Sequence, residues 1–489
     1  MKKVIVIGGG LGGLSAALRL AASGYNVQLF EKTESLGGKM NRLQAEGFTF
    51  DTGPSLITMP FVIKDLFEYC GANISDYIEF EPVDPICRYF YTDGSILDAF
   101  SHTSDMIKSL TKLNQRDASQ FECFLEYSRK LYELTADVFL FSPIHELGQT
   151  LRLKNMPLLF KIGKLDAFHT VHERVTSFFQ DPRIIQLFDR YCTYNGSDPY
   201  QAPATLNIIP YVEYGLGGYY IKGGLYTLIK ALETLADKLG IEINKNASVE
   251  KILHQSSVQG IQLHGKPLKA DYVVCNADVV TSYQQLLEPD SKCVQRLNAL
   301  EPSMSGLVFF WGVRGQNKRL AHHNIFFSAD YYKEFQTLAN GEAPDDPTIY
   351  VAVTSKRNKS HAPDGYENWF VLLNMPYLDG QSWPQIIQRM RKVTLIKLAN
   401  HGFDIKNKIE FESLFTPREF YSRYVSNRGS IYGISSNDRN MAFKRPANRD
   451  RHIKGLYFTG ASTHPGGGVP LVLLSGKHAA DLLIRNSEK

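Results

Sequence analysis

At 489 residues the chain is far beyond the size that needs disulfide or metal staples, and it can bury a large core divided over two or three domains. A formal net charge of +4, an ordinary charged fraction of 21% and the lack of long like-charge runs exclude a nucleic-acid partner recognised by composition. The six cysteines are scattered, with neither CxxC pairs nor histidines at ligand spacing, which predicts reduced thiols of a cytosolic protein and no metal site.

The chain opens with Val4-Ile5-Val6-Ile7, a branched apolar run of the kind found in parallel strands covered on both faces. Met1-Lys2-Lys3 ahead of it imitates a secretory leader, but glycines cut the apolar run too early for one. In Gly8-Gly9-Gly10-Leu11-Gly12-Gly13 the G-x-G-x-x-G spacing falls at Gly8, Gly10 and Gly13, directly after the strand and at a helix start. Gly8 serves a tight turn, Gly10 clears room for a pyrophosphate, and Gly13 lets helix and strand pack closely. The helix N-terminus then presents unpaired N–H groups and its positive dipole end to the phosphates. Leu14, Ala17, Leu18 and Ala21 recur at helical spacing up to Gly24, and Val27 to Phe30 forms the next strand. Glu31 at its end, with Lys32 beside it, is placed to accept hydrogen bonds from ribose hydroxyls and would repel a 2′-phosphate, so this βαβ unit predicts a dinucleotide other than NADP.

Leu36-Gly37-Gly38-Lys39-Met40-Asn41-Arg42 and Phe50-Asp51-Thr52-Gly53-Pro54-Ser55 follow. A second glycine turn carrying Lys39 and Arg42 brings more backbone and cationic contacts to a dinucleotide held extended, which suits a permanently bound flavin better than an exchanging nicotinamide. Further on, Ser142-Pro143 reads as an N-cap and first helical proline, making Glu146 a first-turn acid favoured by the helix dipole. Residues 151–164 combine bulky apolar side chains with Arg152, Lys154, Lys161 and Lys164 and no acid. That composition fits an interfacial segment on anionic lipid, and equally a core-packed helix with solvated lysines. Nowhere do about 18 apolar residues run together, so any membrane contact is expected to be peripheral.

Leu225, Leu228, Ile229, Leu232, Leu235 and Leu239 hold the 3.6-residue period until Gly240 stops the helix. Residues 241–243, 247–253, 270–275 and 455–459 read as strands, the last leading into a glycine-rich turn and a helix. Nucleotide-type segments thus recur at the start, middle and end. The expected class is α/β, a discontinuous Rossmann-like domain of residues 1–65, 223–278 and 431–489 with an α+β substrate domain of residues 66–222 and 279–430 and a membrane-facing helical region near 140–165.

At these residues the sequence resembles the amine-oxidase-like flavoprotein superfamily. Gly460-Ala461-Ser462-Thr463-His464-Pro465-Gly466-Gly467-Gly468-Val469-Pro470, followed by Leu474-Ser475-Gly476-Lys477, is similar to the C-terminal signature of bacterial phytoene desaturases and their relatives. The similarity extends to Tyr191-Cys192-Thr193-Tyr194-Asn195-Gly196-Ser197-Asp198-Pro199, Lys222-Gly223-Gly224 and Cys275-Asn276-Ala277-Asp278. It implies FAD as cofactor, with Gly460, Ala461, Gly468, Val469 and Pro470 lining the flavin, Val249 on the adenine side and Asn276 among the cofactor contacts. It also implies a carotenoid desaturase, in which an allylic hydrogen leaves as hydride to the flavin and its neighbour as a proton. The cofactor does the difficult chemistry and the protein positions a long apolar polyene and excludes water. Residues 190–206 are most similar to the hydroxycarotenoid 3,4-desaturases, while phytoene desaturases, carotenoid isomerases and terminal-methyl oxidases belong to the same group. The resemblance offers Glu146 as a candidate acid or base, and His464 as a loop histidine whose structural reading is the plainer one. Amine or porphyrinogen oxidases and non-catalytic prenyl-binding escort proteins are the readings outside the group. A carotenoid substrate further implies peripheral contact with the inner face of the cell membrane, and oxygen or a quinone as electron acceptor.

Overall fold

The computed structural model describes residues 1–146, 165–287 and 292–488. A five-stranded, wholly parallel sheet runs in the order Leu456–Phe458, Tyr272–Cys275, Lys3–Ile7, Asn26–Phe30, Glu242–Asn244. Period-two alternation divides the first strand between two cores. Val4 and Val6 join the helices Leu11–Ala22, Tyr226–Lys238 and Val469–Ser487, and Ile5 and Ile7 face the other side. That second face is covered by a three-stranded antiparallel sheet of Lys251–His254, Val258–Leu263 and Lys266–Lys269, through Ile252 and Ile261. The continuous apolar run at Val4–Ile7 is what a strand buried on both faces requires, and each of its fully buried side chains contributes roughly 1.5–3 kcal/mol.

The first and last helices of this unit touch along small residues. A Cβ on Gly476 would overlap the Gly12 carbonyl oxygen, and the Ser15 hydroxyl donates to the Leu473 carbonyl at 2.8 Å. The chain end is thereby locked against the chain start.

A second, seven-stranded sheet has the order Ile409–Phe415, Ser305–Arg314, Tyr366–Met375, Ile349–Ala352, His323–Phe326, Cys87–Phe90, Ile96–Ala99. Its pairings are antiparallel except between His323–Phe326 and Cys87–Phe90. Leu307, Phe309, Trp311 and Val313 face a core closed by the helix Trp383–Asn400, while Val308 and Phe310 face the opposite way toward Phe48 and Phe50. Helices Gln115–Phe139, Val171–Phe178 and Pro182–Asp189 pack aromatic on aromatic through Phe124, Phe179 and Phe188.

Two local expectations are corrected. The strand read over 247–253 pairs only at Lys251–His254. The preceding residues instead run beside the acid-bearing strand end, with the Asn246 and Ala247 amides donating to the Thr33 and Glu31 carbonyls at 3.0 and 2.8 Å. Ser142 is not a helix N-cap, because its hydroxyl donates back to the Asp137 carbonyl at 2.6 Å and closes the long helix before it. A 3-10 turn, Ile144–Glu146, ends the described residues here. The basic, apolar segment 151–164 lies outside the described residues, and so does most of the region expected to face a membrane. Among the described residues no helix is long and apolar enough to cross a bilayer.

Candidate functional site

A cavity of about 1110 Å³ opens at the carboxyl ends of the parallel strands and continues beneath the seven-stranded sheet. Gly8 and Gly10 follow the first strand, Glu31 the second, Asn276 the strand Tyr272–Cys275 and Gly460 the strand Leu456–Phe458, and all of them line it. Ligands of open α/β sheets bind at this edge.

The glycine motif divides its labour. Gly8 takes φ +93°, which an L side chain resists, and turns the chain out of the strand. Gly10 is extended (φ −71°) and lines the cavity. Gly12 and Gly13, read with the motif as cofactor residues, are not in the lining: Gly13 takes the helix–strand packing role expected of it, and Gly12 also faces inward. A Cβ on Gly13 would overlap the Gly8 carbonyl oxygen, and one on Gly12 would lie 2.7 Å from both Asn276 Oδ1 and Thr459 Oγ1. The helices starting at Leu11 and Val469 have glycine N-caps, Gly10 and Gly468, and neither has a side-chain cap. Two helix N-termini therefore bring first-turn N–H groups without side-chain partners, and two positive dipole ends, to one cavity wall, which suits a diphosphate.

Glu31 is held rigidly. Its Oε2 accepts from the Gly9 amide at 2.8 Å and its Oε1 from the Thr33 amide and hydroxyl at 2.9 and 2.8 Å. The second glycine turn docks on the first, with the Gly37 amide donating to the Gly9 carbonyl at 2.8 Å. Gly38, Met40, Gly53, Pro54, Ser55 and Val249 join the lining, as do Leu11, Ala461, Val469 and Pro470. Lys39 also lines the cavity, but its ammonium donates to the carbonyls of Ser430 (3.2 Å) and Ile431 (2.5 Å), and burial brings its pKa down to about 8 against the opposing pull of Asp278. Lys32 donates to the Ser422 carbonyl at 2.7 Å, and partial burial lowers its pKa. Arg42, expected beside Lys39 as a second cation, instead lies over the Tyr226 ring at 5.0 Å, away from the cavity. Asp51 ties the next motif to the Lys222-Gly223-Gly224 turn by accepting from the Tyr220 hydroxyl and, at 3.3 Å, from the Leu225 amide.

The C-terminal glycine turn is braced from behind. The Asn448 amide donates to the His464 carbonyl (2.9 Å) and the Ser475 hydroxyl (3.0 Å), and Ser475 also meets Thr463 at 2.7 Å. His464 is bonded to the Ser142 carbonyl at 2.9 Å, and burial drives its pKa down to about 3, so it sits neutral against His478. Glu146 forms an ion pair with Arg449 at 2.9 Å and is not among the cavity-lining residues.

Several lining residues stand outside the glycine motifs. Arg445, packed against Gly466, bonds Ile434 and Ser436 at 3.1 Å each and has no carboxylate partner among the described residues. Burial brings its pKa down to about 10. Arg190, Glu213, His323, Tyr331 and Tyr350 form polar patches in an otherwise mostly apolar far wall that includes Leu206, Ile209, Val212, Ile325 and Leu372. Proximity in space, not in sequence, assembles them. Among the described residues no cluster of histidine, cysteine or acidic side chains could hold a metal ion.

The glycine cradle and the two uncapped helix N-termini fit FAD, and the far half of the cavity is mostly apolar. The family described as flavin containing amine oxidoreductase matches residues 11–484. The chain is 37% identical to a 1-hydroxycarotenoid 3,4-desaturase of Flavobacterium sp. (strain P99-3), over 99% of each chain. It is likewise 37% identical to a 4,4'-diapolycopene oxygenase of Methylomonas sp, covering 99% of this chain and 98% of that one. Among solved structures, cyclohexylamine oxidase from Brevibacterium oxydans IH-35A superposes with a TM-score of 0.62 over 100% of both chains at 14% identity, a likeness of fold.

Proposed function

The chain belongs to the flavin containing amine oxidoreductase family, and from that premise we propose that it acts as an FAD-dependent carotenoid desaturase whose reaction is the 3,4-desaturation of a 1'-hydroxylated carotenoid. The protein is a flavin-dependent oxidoreductase of the carotenoid desaturase and oxygenase group, and its cofactor is FAD. The observation that supports a polyene substrate is the cavity joining the glycine cradle to a mostly apolar compartment, and the likeness to a 1-hydroxycarotenoid 3,4-desaturase favours the hydroxylated one. A polyene suits a compartment walled mostly by apolar side chains, whereas an amine would need a counter-charge beside the flavin.

Gly8, Gly10, Glu31, Lys39, Val249, Gly460, Ala461, Gly468, Val469 and Pro470 are the residues that would hold FAD. When bound, FAD supplies the two-electron acceptor. The chain's own part is to orient and to dry. Apolar side chains of the far wall align the polyene so that two adjacent C–H bonds face the flavin end, and their packing keeps water from the charge that develops along the conjugated chain. One hydrogen leaves with its electron pair and the other as a proton.

The equal likeness to a 4,4'-diapolycopene oxygenase favours a second reading, oxidation of a terminal methyl group of the same kind of polyene. Expression in cells supplied separately with phytoene, lycopene and a 1'-hydroxylated carotenoid, followed by pigment chromatography, separates these. A new double bond in the hydroxylated substrate supports the first reading, and a terminal aldehyde the second. Conversion of phytoene would overturn both. Peripheral binding to the inner face of the cell membrane belongs to the same reading, since the substrate resides in lipid. Holoenzyme that fails to cosediment with anionic liposomes at low salt would refute it. Reoxidation by oxygen or by a quinone is read from substrate turnover with and without air.

A further inference from the structure

Arg445 stands where the glycine cradle meets the substrate compartment. Its Nη2 donates to the Ile434 carbonyl and the Ser436 hydroxyl at 3.1 Å each, and its Nη1 to the Ala461 carbonyl at 3.4 Å. A Cβ on Gly466 would lie 3.4 Å from its Cζ. Ala461 and Gly466 belong to the C-terminal glycine turn, whereas Ile434 and Ser436 belong to a segment tied to the substrate side. The Ser436 amide donates at 3.1 Å to the hydroxyl of Ser197, which follows the turn Arg190–Asn195 of the far wall, and the Gly433 carbonyl accepts from the Ser303 amide at 2.8 Å. Tyr432, another lining residue, is wedged between the same two parts. A Cβ on Gly467 would lie 3.1 Å from Tyr432 Cβ, and one on Gly196 2.8 Å from the Tyr432 ring.

Every bond the guanidinium makes among the described residues ends on a neutral oxygen. Burial alone lowers its pKa, to about 10, so it remains a cation at neutral pH. Two other lining cations have acids to offset them, Lys39 through Asp278 and Arg190 through Glu213 at 3.7 Å. Arg445 Nε makes no bond among the described residues and, unlike the Nε of Arg190, is not sealed off from the cavity that its side chain lines. A buried cation without a counter-charge is costly, and an anion in the cavity would offset it. FAD offers two. The diphosphate carries a constant charge, and the helix N-terminus after Gly10 already suits it. The isoalloxazine is neutral when oxidised and gains one negative charge on accepting a hydride. The ring that takes a hydride must touch the substrate, which places it at the seam where Arg445 stands. We propose that Arg445 faces the isoalloxazine of FAD and holds the reduced, anionic ring more tightly than the oxidised one, which makes the bound flavin a stronger oxidant. This rests on the glycine cradle holding FAD, and it goes beyond the desaturase reading by assigning a residue that sets the flavin's oxidising power.

The test measures the midpoint potential of the bound flavin against reference dyes, with no carotenoid present, so it stands or falls apart from the substrate reading. Fluorescence titration of the apoprotein gives the Kd for oxidised FAD, and the difference in potential from free FAD then gives the Kd for the reduced form. A hydrogen bond between two charged groups outweighs one to a neutral acceptor by a factor of about 10 in binding. The wild type is therefore expected to bind reduced FAD about 10-fold more tightly than oxidised FAD, which for a two-electron couple puts its potential about 30 mV above that of free FAD. Arg445→Gln is expected to lose this preference, and Arg445→Lys, which keeps the cation, to retain it within about twofold. Equal weakening of both redox forms in Arg445→Gln would overturn the proposal and assign the cation to the diphosphate. A lysine variant that loses the preference as fully as the glutamine one would overturn it too. If Arg445→Gln does not fold, the wild type decides alone, because a bound potential at or below that of free FAD overturns the proposal. Apoprotein that takes up no FAD would refute the cradle and the proposal together, whereas the other outcomes touch the proposal only.

Discussion

Gly10 and Gly13 belong to one motif, and the structure predicts opposite failures when each becomes alanine. At Gly10 the backbone has φ −71°, which alanine adopts freely, and the added methyl would lie 2.8 Å from Asn276 Nδ2 and 3.9 Å from Gly38 Cα. The nearest atom is the end of a side chain, which can swing aside, so the apoprotein should change by no more than about 0.5 kcal/mol. The methyl does, however, occupy the cavity wall where a diphosphate must approach the helix N-terminus. Loss of one charge-assisted hydrogen bond, roughly 1.5–3 kcal/mol, corresponds to about 10- to 100-fold weaker FAD binding. At Gly13 the methyl meets the Gly8 carbonyl oxygen and the Asn276 Cβ, the latter at 3.2 Å. Neither is a flexible side-chain end, and helix and strand must part, at a cost of about 1–3 kcal/mol or more. FAD titration of apoprotein by flavin fluorescence, paired with urea unfolding of the same apoprotein, reads both quantities. If Gly10→Ala binds FAD as tightly as the wild type, or if the two variants lose the same apoprotein stability, the division of labour argued here is wrong.

Arg445→Gln is expected to raise the apparent Kd for FAD by about 10- to 100-fold, since a buried guanidinium with no carboxylate partner among the described residues stands at the wall of a site for an anionic cofactor; ultrafiltration of the holoenzyme measures the released flavin. Glu146→Gln breaks an ion pair with Arg449 outside the cavity lining, so the rate of flavin reduction by substrate should stay within about twofold, and a loss beyond about 10-fold in stopped-flow would give Glu146 a part in proton handling. His322, His464 and His478 are buried with pKa values pushed down to about 3, 3 and 4 by desolvation. Their folded values lie below the unfolded value of about 6.5, so the stability they permit is complete above about pH 6.5 and is lost as pH falls toward the folded values. At pH 5 the loss is roughly 2 kcal/mol for each that titrates independently, and an unfolding midpoint that does not move between pH 7 and 5 would contradict this.

Much of the nucleotide half was legible in the chain order. A branched run, a glycine turn and a 3.6-residue period each involve residues within one or two turns of one another, so Lys3–Ile7, Leu11–Ala22, Asn26–Phe30 and Tyr226–Lys238 follow from local preference and burial pattern. Their edge residues, Gly8, Gly10, Glu31, Asn276 and Gly460, then converge because parallel strands of one sheet share a carboxyl edge. The outcome differed where a distant segment competes for a side chain. Lys39 is taken by the carbonyls of Ser430 and Ile431 and Arg42 by the Tyr226 ring, while Ser142 is lost to a local competitor, the end of the helix preceding it.

The glycine turns at the sheet edge and the membership of a flavin-dependent family were therefore set by sequence alone, since each rests on short motifs whose geometry depends on neighbouring residues. The polar wall of the substrate compartment was decided only by tertiary structure. Arg190 and Asn195 lie on one short turn, Glu213 on a later segment, and His323 and Tyr331 more than a hundred residues beyond, on a strand and a helix of another layer. No spacing rule links such positions. They meet because two sheets and a helical cap bury their apolar faces against one another, and these polar residues are carried into the cavity lining with them.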